Sequence, residues 1–527
     1  MSTATATTGS QPRRRPSADR RTAAEARNRR YHRGSVMLDS LAFLVPLAMS
    51  YQVEIIGRLY AAEFLLLLCL PLLLIDRGGM LMESLPKTVL CLAAAWFASQ
   101  ILTDIVDGTP YADWSRGWSK IFFFTVNFAA IYMLIYGNRR RLILFTLGLA
   151  IGLAVTNQRY ANFEMVALPW KFIYGLSATL AIIAITLTGF VRKMPLLPIA
   201  IMGAVGVLHM YMGWRSMAGV CFLTALYLMA QAIFGKKGAN VTPPTNTRLI
   251  LIGVLGIVAV WLVLALYEMA AMDGLLGEDA REKLIHQTRS GAGILLGGRH
   301  EILVSLQAIL DSPFLGHGSW AQDRKYVDML IALTRDAEEM IEAAWFGDLI
   351  PTHSHLTGSW VEAGLLGGVF WLFILFLVAR VLANLFQARD PMSPLVAFIA
   401  LLMMWDILFS PFAADRRIVV PYQIVLIMFM WDNLKVHAER ARQIRRIRKA
   451  ARSALKRRAG ARGGAPGPRP RGHPLPSPRL MRRPPANVAT LPRPSARAAQ
   501  RQGPPEPEPG AEAADQPAPA ADEPGKA

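Results

Sequence analysis

Cysteine is scarce in this chain, charge is thin along most of its length, and its apolar runs show no strand-like alternation. Each shortage removes a class of protein. The three cysteines, Cys69, Cys91 and Cys221, lie inside apolar runs at spacings that suit neither a disulfide framework nor a metal ligand set, so they read as small buried residues. Charged residues make up 18% of 527 against 53% hydrophobic ones, with a mean hydropathy of +0.31, too little charge to coat a soluble protein. Runs rich in Leu, Ile, Ala and Val without a period of two exclude a membrane barrel and leave helices of roughly 20 residues as the spanning structure. No small-residue cleavage site follows the first apolar run, which argues against a removable signal peptide. What remains is an all-α polytopic membrane protein.

Charge that is present is concentrated. The net charge of +20 would ordinarily point to nucleic acid, but Lys and Arg are piled into the two ends and a few short links, so no nucleic-acid partner is expected. About twelve spans are expected, centred near Leu44, Leu68, Ala95, Phe128, Leu149, Ala181, Gly203, Leu226, Ala259, Leu372, Leu402 and Leu426. With the N-terminus inside, one set of links holds Lys87, Arg139, Arg140, Arg141, Arg192, Lys193, Lys236, Lys237, Arg380 and Arg389. The links around 54–58, 107–117, 156–170, 213–215 and 411–417 are poorer in basic residues. By the positive-inside bias both termini are cytoplasmic and the long link between spans nine and ten is external, which in a bacterial inner (plasma) membrane means periplasmic.

The expected organisation follows in order. Residues 1–35 form a basic cytoplasmic arm, 36–271 hold spans one to nine, 272–357 form the large external loop, and 358–436 hold spans ten to twelve. Residues 437–527 form a basic and then Pro- and Ala-rich cytoplasmic tail that cannot bury a core and is expected to be disordered. The basic run 435–458 is expected to lie along the anionic inner leaflet, each cation there being worth about 1 kcal/mol. Membrane lipids are thus expected partners.

Residues 297–368 are the polar interruption on which chemistry should be sought. His286, His300, His317, His353 and His355 fall in or just before it, five of the nine histidines, and imidazole is the side chain whose proton moves most easily near neutral pH. The charged stretch 323–348 inside it is long enough for a small folded cap. Arg299 leads a helix patterned by Ile302, Leu303, Leu306, Ile309 and Leu310, placed either to face an anion or to pair with Glu301 in water. Arg215 sits between two apolar runs, where a charge needs either a functional partner or headgroup phosphates to reach. His353 and His355 suit a general base or a structural hydrogen bond better than a metal, since no HExxH or clustered carboxylate accompanies them. Glu362 either orients a histidine or an arginine or is an interfacial charge, and Gly364, Gly367 and Gly368 allow close approach where the chain re-enters the membrane.

The segment HSHLTGSWVEAGLLG resembles the signature of the O-antigen ligase and Wzy-type polymerase superfamily, in His353, Glu362, Gly364 and Gly367. The stretch GGRHEILVSLQAILDSPFLGHG is similar to the family's arginine-led helix and Gly-x-Gly turn, in Arg299, Pro313, Gly316 and Gly318. WRSMAG is similar to its short Ser-Arg-Gly element, with Arg215 aligned and its flanks altered. The chain departs from the family in Ser354, where Asn is usual, and in Thr357, where an apolar residue is frequent. The resemblance implies a GT-C-like fold with a large periplasmic loop between helices 9 and 10, and a metal-independent glycosyltransferase without cofactor. It implies transfer or polymerisation of an undecaprenyl-diphosphate-linked glycan onto a glycan or lipid A-core acceptor, alongside other polysaccharide-assembly proteins. His353, Arg299 and Arg215 would be catalytic, and Arg215, Arg299, Glu362 and His355 would bind substrate. A lipid-linked oligosaccharide flippase, or another polysaccharide transporter, is the competing class. Its buried charges would be Glu63 and Asp406.

Overall fold

Apolar runs free of turn residues close their own backbone hydrogen bonds, the one way such a chain can satisfy them away from water. The computed structural model describes residues 36–55, 57–187, 194, 196–235, 246–278, 281–282, 284–285, 299–333, 347–388 and 390–462. Its helices are α1 (Val36–Leu47), α2 (Ala61–Arg77), α3 (Ser84–Asp107), α4 (Tyr111–Ile135), α5 (Arg139–Arg159), α6 (Gly175–Thr186), α7 (Leu197–Tyr211), α8 (Arg215–Phe234) and α9 (Asn246–Met272). They continue with α10 (Glu301–Asp311), α11 (Arg324–Leu333), α12 (His355–Leu385), α13 (Ser393–Phe409) and α14 (Arg416–Arg462). The expectations on residues 1–35 and 463–527, on Arg192, Lys193, Lys236, Lys237, His286 and Arg389, and on most of the cap at 334–346 lie outside the described residues.

Among the described residues, seven helices are long and apolar enough to cross a membrane: Ala61–Met82, Ser84–Asp107, Tyr111–Ile135, Arg139–Arg159, Arg215–Phe234, His355–Leu385 and Arg416–Val436. Val36–Ser50, Trp170–Thr186, Leu197–Tyr211, Val260–Met272 and Ser393–Phe409 are shorter apolar helices. Three details differ from expectation. The link near Gly57 is an antiparallel hairpin of β1 (Gln52–Glu54) and β2 (Arg58–Tyr60), with Val53 opposite Leu59. Helix α12 starts at His355, three residues before the expected re-entry, because the Ser354 hydroxyl accepts the Thr357 N–H at 3.0 Å and caps the first turn. Cys91 is exposed on its helix, whereas Cys69 is half-buried and Cys221 buried.

The bundle packs α12 against α3 and α13, α1 against α5, and α8 against α7 and α13. Near one end Trp96, Phe124, Phe370, Trp371 and Phe412 form an aromatic knot with centroids 5.2–6.3 Å apart. Charges inside the bundle are paired. Arg417 grips Glu63 with two bonds of 2.7 and 2.9 Å, and buried Arg141 holds Asp39 at 2.9 Å.

The polar contacts sort the links into two groups. Arg139 pairs with Asp390 at 2.8 Å, joining two links of the basic-rich set, and Tyr136 at the end of α4 donates to Asp432. In the basic-poor set, Arg417 donates to the Arg58 carbonyl and Arg299 to the Phe409 carbonyl. Each of these contacts joins residues of one group or at its helix ends.

Candidate active site

A glycine-bearing turn docks into a broken helix, and this junction builds the site. In α12, Gly364 has φ 62° and ψ −153°, a conformation open essentially to glycine alone, and the helix kinks there. The kink frees backbone groups that residues 314–318 satisfy. His317 N–H donates to the Val361 carbonyl at 2.7 Å, Gly318 N–H to the Glu362 carbonyl at 3.1 Å, and Leu365 N–H to the Phe314 carbonyl at 3.2 Å. Gly316, with φ 89°, comes so close that an added Cβ would stand 2.6 Å from the Gly364 nitrogen. Helix α3 clamps the same turn. Asp104 accepts from the Ser319 backbone at 2.6 Å, the Ser319 hydroxyl at 2.7 Å, Trp118 at 2.7 Å and Thr109 at 3.0 Å.

Just before α12 the chain runs extended, with Ser354 at φ −151° and ψ 145°. Successive side chains of an extended segment point to opposite sides. Thr352 and Ser354 accordingly line one cavity, while His353 is absent from that lining and lies within electrostatic reach of Arg299, Glu301 and Lys171. Burial pushes the His353 imidazole below its usual pKa; the Glu301 carboxylate opposes that shift, and the cations of Arg299 and Lys171 add to it. The ring is thus held neutral, the form that accepts a proton.

Arg299 caps no helix into solvent. It donates to the Phe409 carbonyl at 2.6 Å, and its guanidinium lies 5.0 and 5.1 Å from the ring centroids of Trp405 and Phe409 at the end of α13. Trp405 in turn lines a cavity of about 320 Å³ with Lys171, Trp214, Ser216, Ser410 and Arg416. Lys171 reaches it from a π-helical turn, Trp170–Tyr174, ahead of α6. Such irregular turns are frequent at functional sites. Arg416 is balanced there by Asp406 at 2.7 Å and Asp415 at 3.6 Å, and both carboxylates also line the cavity. Arg215 donates to the Tyr267 hydroxyl at 2.8 Å, while its neighbours in sequence, Trp214 and Ser216, face the cavity.

A second cavity, of about 240 Å³, lies on the other side of the link 410–412: Ser410 lines the first cavity and Pro411 and Phe412 the second. Glu362 faces the second cavity as an ion pair with Lys120 of α4, and Trp320 stands at the same lining.

The structure therefore brings together Arg299 and His353 of the expected residues, with Arg215 on the helix end beside the same cavity. Glu362 faces the neighbouring cavity. His355, expected to bind substrate, is 1% exposed, packed on Trp371 and Phe412 with Nδ1 bonded to the Ser410 carbonyl at 2.6 Å. It thus ties the start of α12 to the link 410–412. Lys171, Arg416, Lys120 and Trp320 escaped the sequence reading. A basic residue in a basic-poor link singled out Arg215, and the same argument applied to Arg416 would have found it.

Among the described residues no group of three or more His, Cys, Asp and Glu is arranged to hold a metal ion. Compared with protein-family models and with curated proteins, the chain finds no match.

Proposed function

We propose that the protein is a membrane glycosyltransferase that moves or polymerises a glycan carried on undecaprenyl diphosphate, at the external face of a bacterial inner membrane. One arrangement supports the reading: His353 lies within electrostatic reach of Arg299, Glu301 and Lys171, and Lys171 lines a cavity of about 320 Å³ that opens where the basic-poor links meet. The twelve spans, the cytoplasmic termini and the periplasmic position of the cavity belong to this proposal.

The chemistry needs three things of the chain. A proton acceptor must take the acceptor hydroxyl's hydrogen, and His353 fits, a role typically worth roughly 10² to 10⁴ in rate. As the acceptor oxygen bonds to the sugar's anomeric carbon, the bond from that carbon to the phosphate oxygen breaks and its electron pair leaves on the diphosphate. Fixed cations must meet that charge. Arg299 and Arg215 supply planar forks suited to phosphate oxygens, and Lys171 supplies a point charge. The anomeric centre inverts, because attack and departure occur in one displacement without a carboxylate nucleophile.

The buried acids that a flippase or other transporter would use are engaged: Glu63 with Arg417 and Asp406 with Arg416. That favours the transferase. Between its two forms we place the protein with the polymerases of surface or extracellular polysaccharides. Purified protein given a lipid-linked single repeat unit is expected to make a ladder without added lipid A core. A product only when lipid A core is supplied would make it a ligase, and transbilayer movement of the donor without any glycan transfer would make it a flippase.

A further inference from the structure

We infer that the cavity between Lys120, Trp320 and Glu362 is a saccharide subsite that seats one neutral sugar ring of the acceptor, separate from the cation-flanked cavity on the far side of residues 410–412. It rests on the transferase reading for the name acceptor, but not for the prediction that sugar binds. At about 240 Å³ it is too small for a glycan chain and roomy enough for a single ring.

Three features carry the argument. The first is charge. Glu362 and Lys120 are paired side by side, both largely buried, so the cavity presents no net charge to a phosphate or carboxylate. What the pair does present is a strong acceptor beside a strong donor, the arrangement that neighbouring neutral hydroxyls of a sugar satisfy at once. Thr352 adds a hydroxyl to the same lining.

The second is Trp320. It is the one non-glycine among the described residues with positive φ, at 53°, and the residue is 41% exposed and lines the cavity. Bulky side chains avoid that backbone region, and strain of this kind persists only where surroundings enforce it. Asp104 enforces it by gripping the N–H and hydroxyl of Ser319, the preceding residue. An indole face bears negative charge density that attracts the C–H face of a sugar, while Arg116 sits 5.8 Å from the ring centroid.

The third is placement. Thr352 and Ser354 line this cavity, while His353 between them is outside its lining and within electrostatic reach of Arg299 and Lys171. The alternation keeps the base out of the sugar cavity and on the side where Arg299 and Lys171 would hold the diphosphate.

The test uses the full chain in detergent, with methyl glucoside, methyl galactoside and methyl N-acetylglucosaminide as probes, read by saturation-transfer NMR. At least one glycoside is expected to receive saturation, chiefly on one ring face, with the signal falling at least fivefold in Trp320→Gly and in Glu362→Gln. Trp320→Gly keeps the backbone conformation without strain, so its thermal midpoint should hold or rise. His353→Ala should retain the signal. Equal signals in wild type and both cavity variants, or none with any glycoside, would overturn the subsite. Trp320-dependent binding in a protein that never transfers glycan would uphold the subsite and remove the transferase reading. Glycan transfer whose acceptor KM is unmoved by Trp320→Gly would do the reverse.

Discussion

His353 shows how environment shifts the titration of an ordinary residue. Because its neutral form is favoured in the folded protein, protonation occurs only as pH falls through a value below the usual histidine range. Transfer activity should therefore stay flat through neutrality and decline on the acid side of about pH 6.5, the unperturbed value. Glu301→Gln removes the one neighbour that raises the imidazole pKa, so the acid limb should move to lower pH; a limb moving upward would contradict the arrangement. Arg299→Lys should cut turnover by at least tenfold, since an ammonium cannot reproduce the fork or the stacking on Trp405 and Phe409. At this scale the sequence marks residues one at a time but not their meetings. Arg299 and His353 stood out by their place in a polar segment, whereas Lys120 and Trp320 meet Glu362 across some 240 and 40 residues, a pairing that no local pattern encodes.

Among the elements, the broken helix α12 and the turn in residues 314–318 are a single unit, each completing the backbone bonds of the other. Gly364→Ala should lower stability by about 1–3 kcal/mol from backbone strain alone, and more once its Cβ meets the Phe314 carbonyl. Thermal unfolding in detergent checks this, and an unchanged midpoint would mean that the kink is not glycine-dependent. Helices were the most readable feature, because an apolar run of this length has no other way to pair its backbone inside a membrane. The glycines near Gly364 were legible only as small residues. Their actual work, admitting a neighbouring turn into a kink, depends on contacts distant in sequence. The hairpin at 52–60 and the π-helical turn carrying Lys171 were likewise invisible, since both are set by packing rather than by periodicity. Helix α14 continues past its apolar stretch through the basic residues from Lys435, which are helical as their pattern suggested.

For the molecule as a whole, the buried Glu63 and Arg417 pair ties α2 to α14, with Glu63 0% exposed. Glu63→Gln leaves an arginine buried without its counter-charge and should cost about 3–5 kcal/mol. Replacing both, as Glu63→Leu with Arg417→Met, should recover most of the loss. Failure of the double variant to recover would show that the pair does more than neutralise itself. Charge placement sorts the links into a basic-rich and a basic-poor group, because Lys and Arg density is a property of composition that does not depend on packing. Their orientation can be read chemically: in sealed vesicles of a chain whose own cysteines are replaced by serine, Gln322→Cys and Lys87→Cys should react with a membrane-impermeant thiol reagent from opposite sides.

Transfer in a defined system tests the account most directly. Purified protein, reconstituted with a polyprenyl-diphosphate-linked repeat unit and no metal, should lengthen the glycan, and His353→Ala in the same vesicles should leave the donor untouched while remaining folded. Full elongation by the His353→Ala protein would contradict the account at its centre.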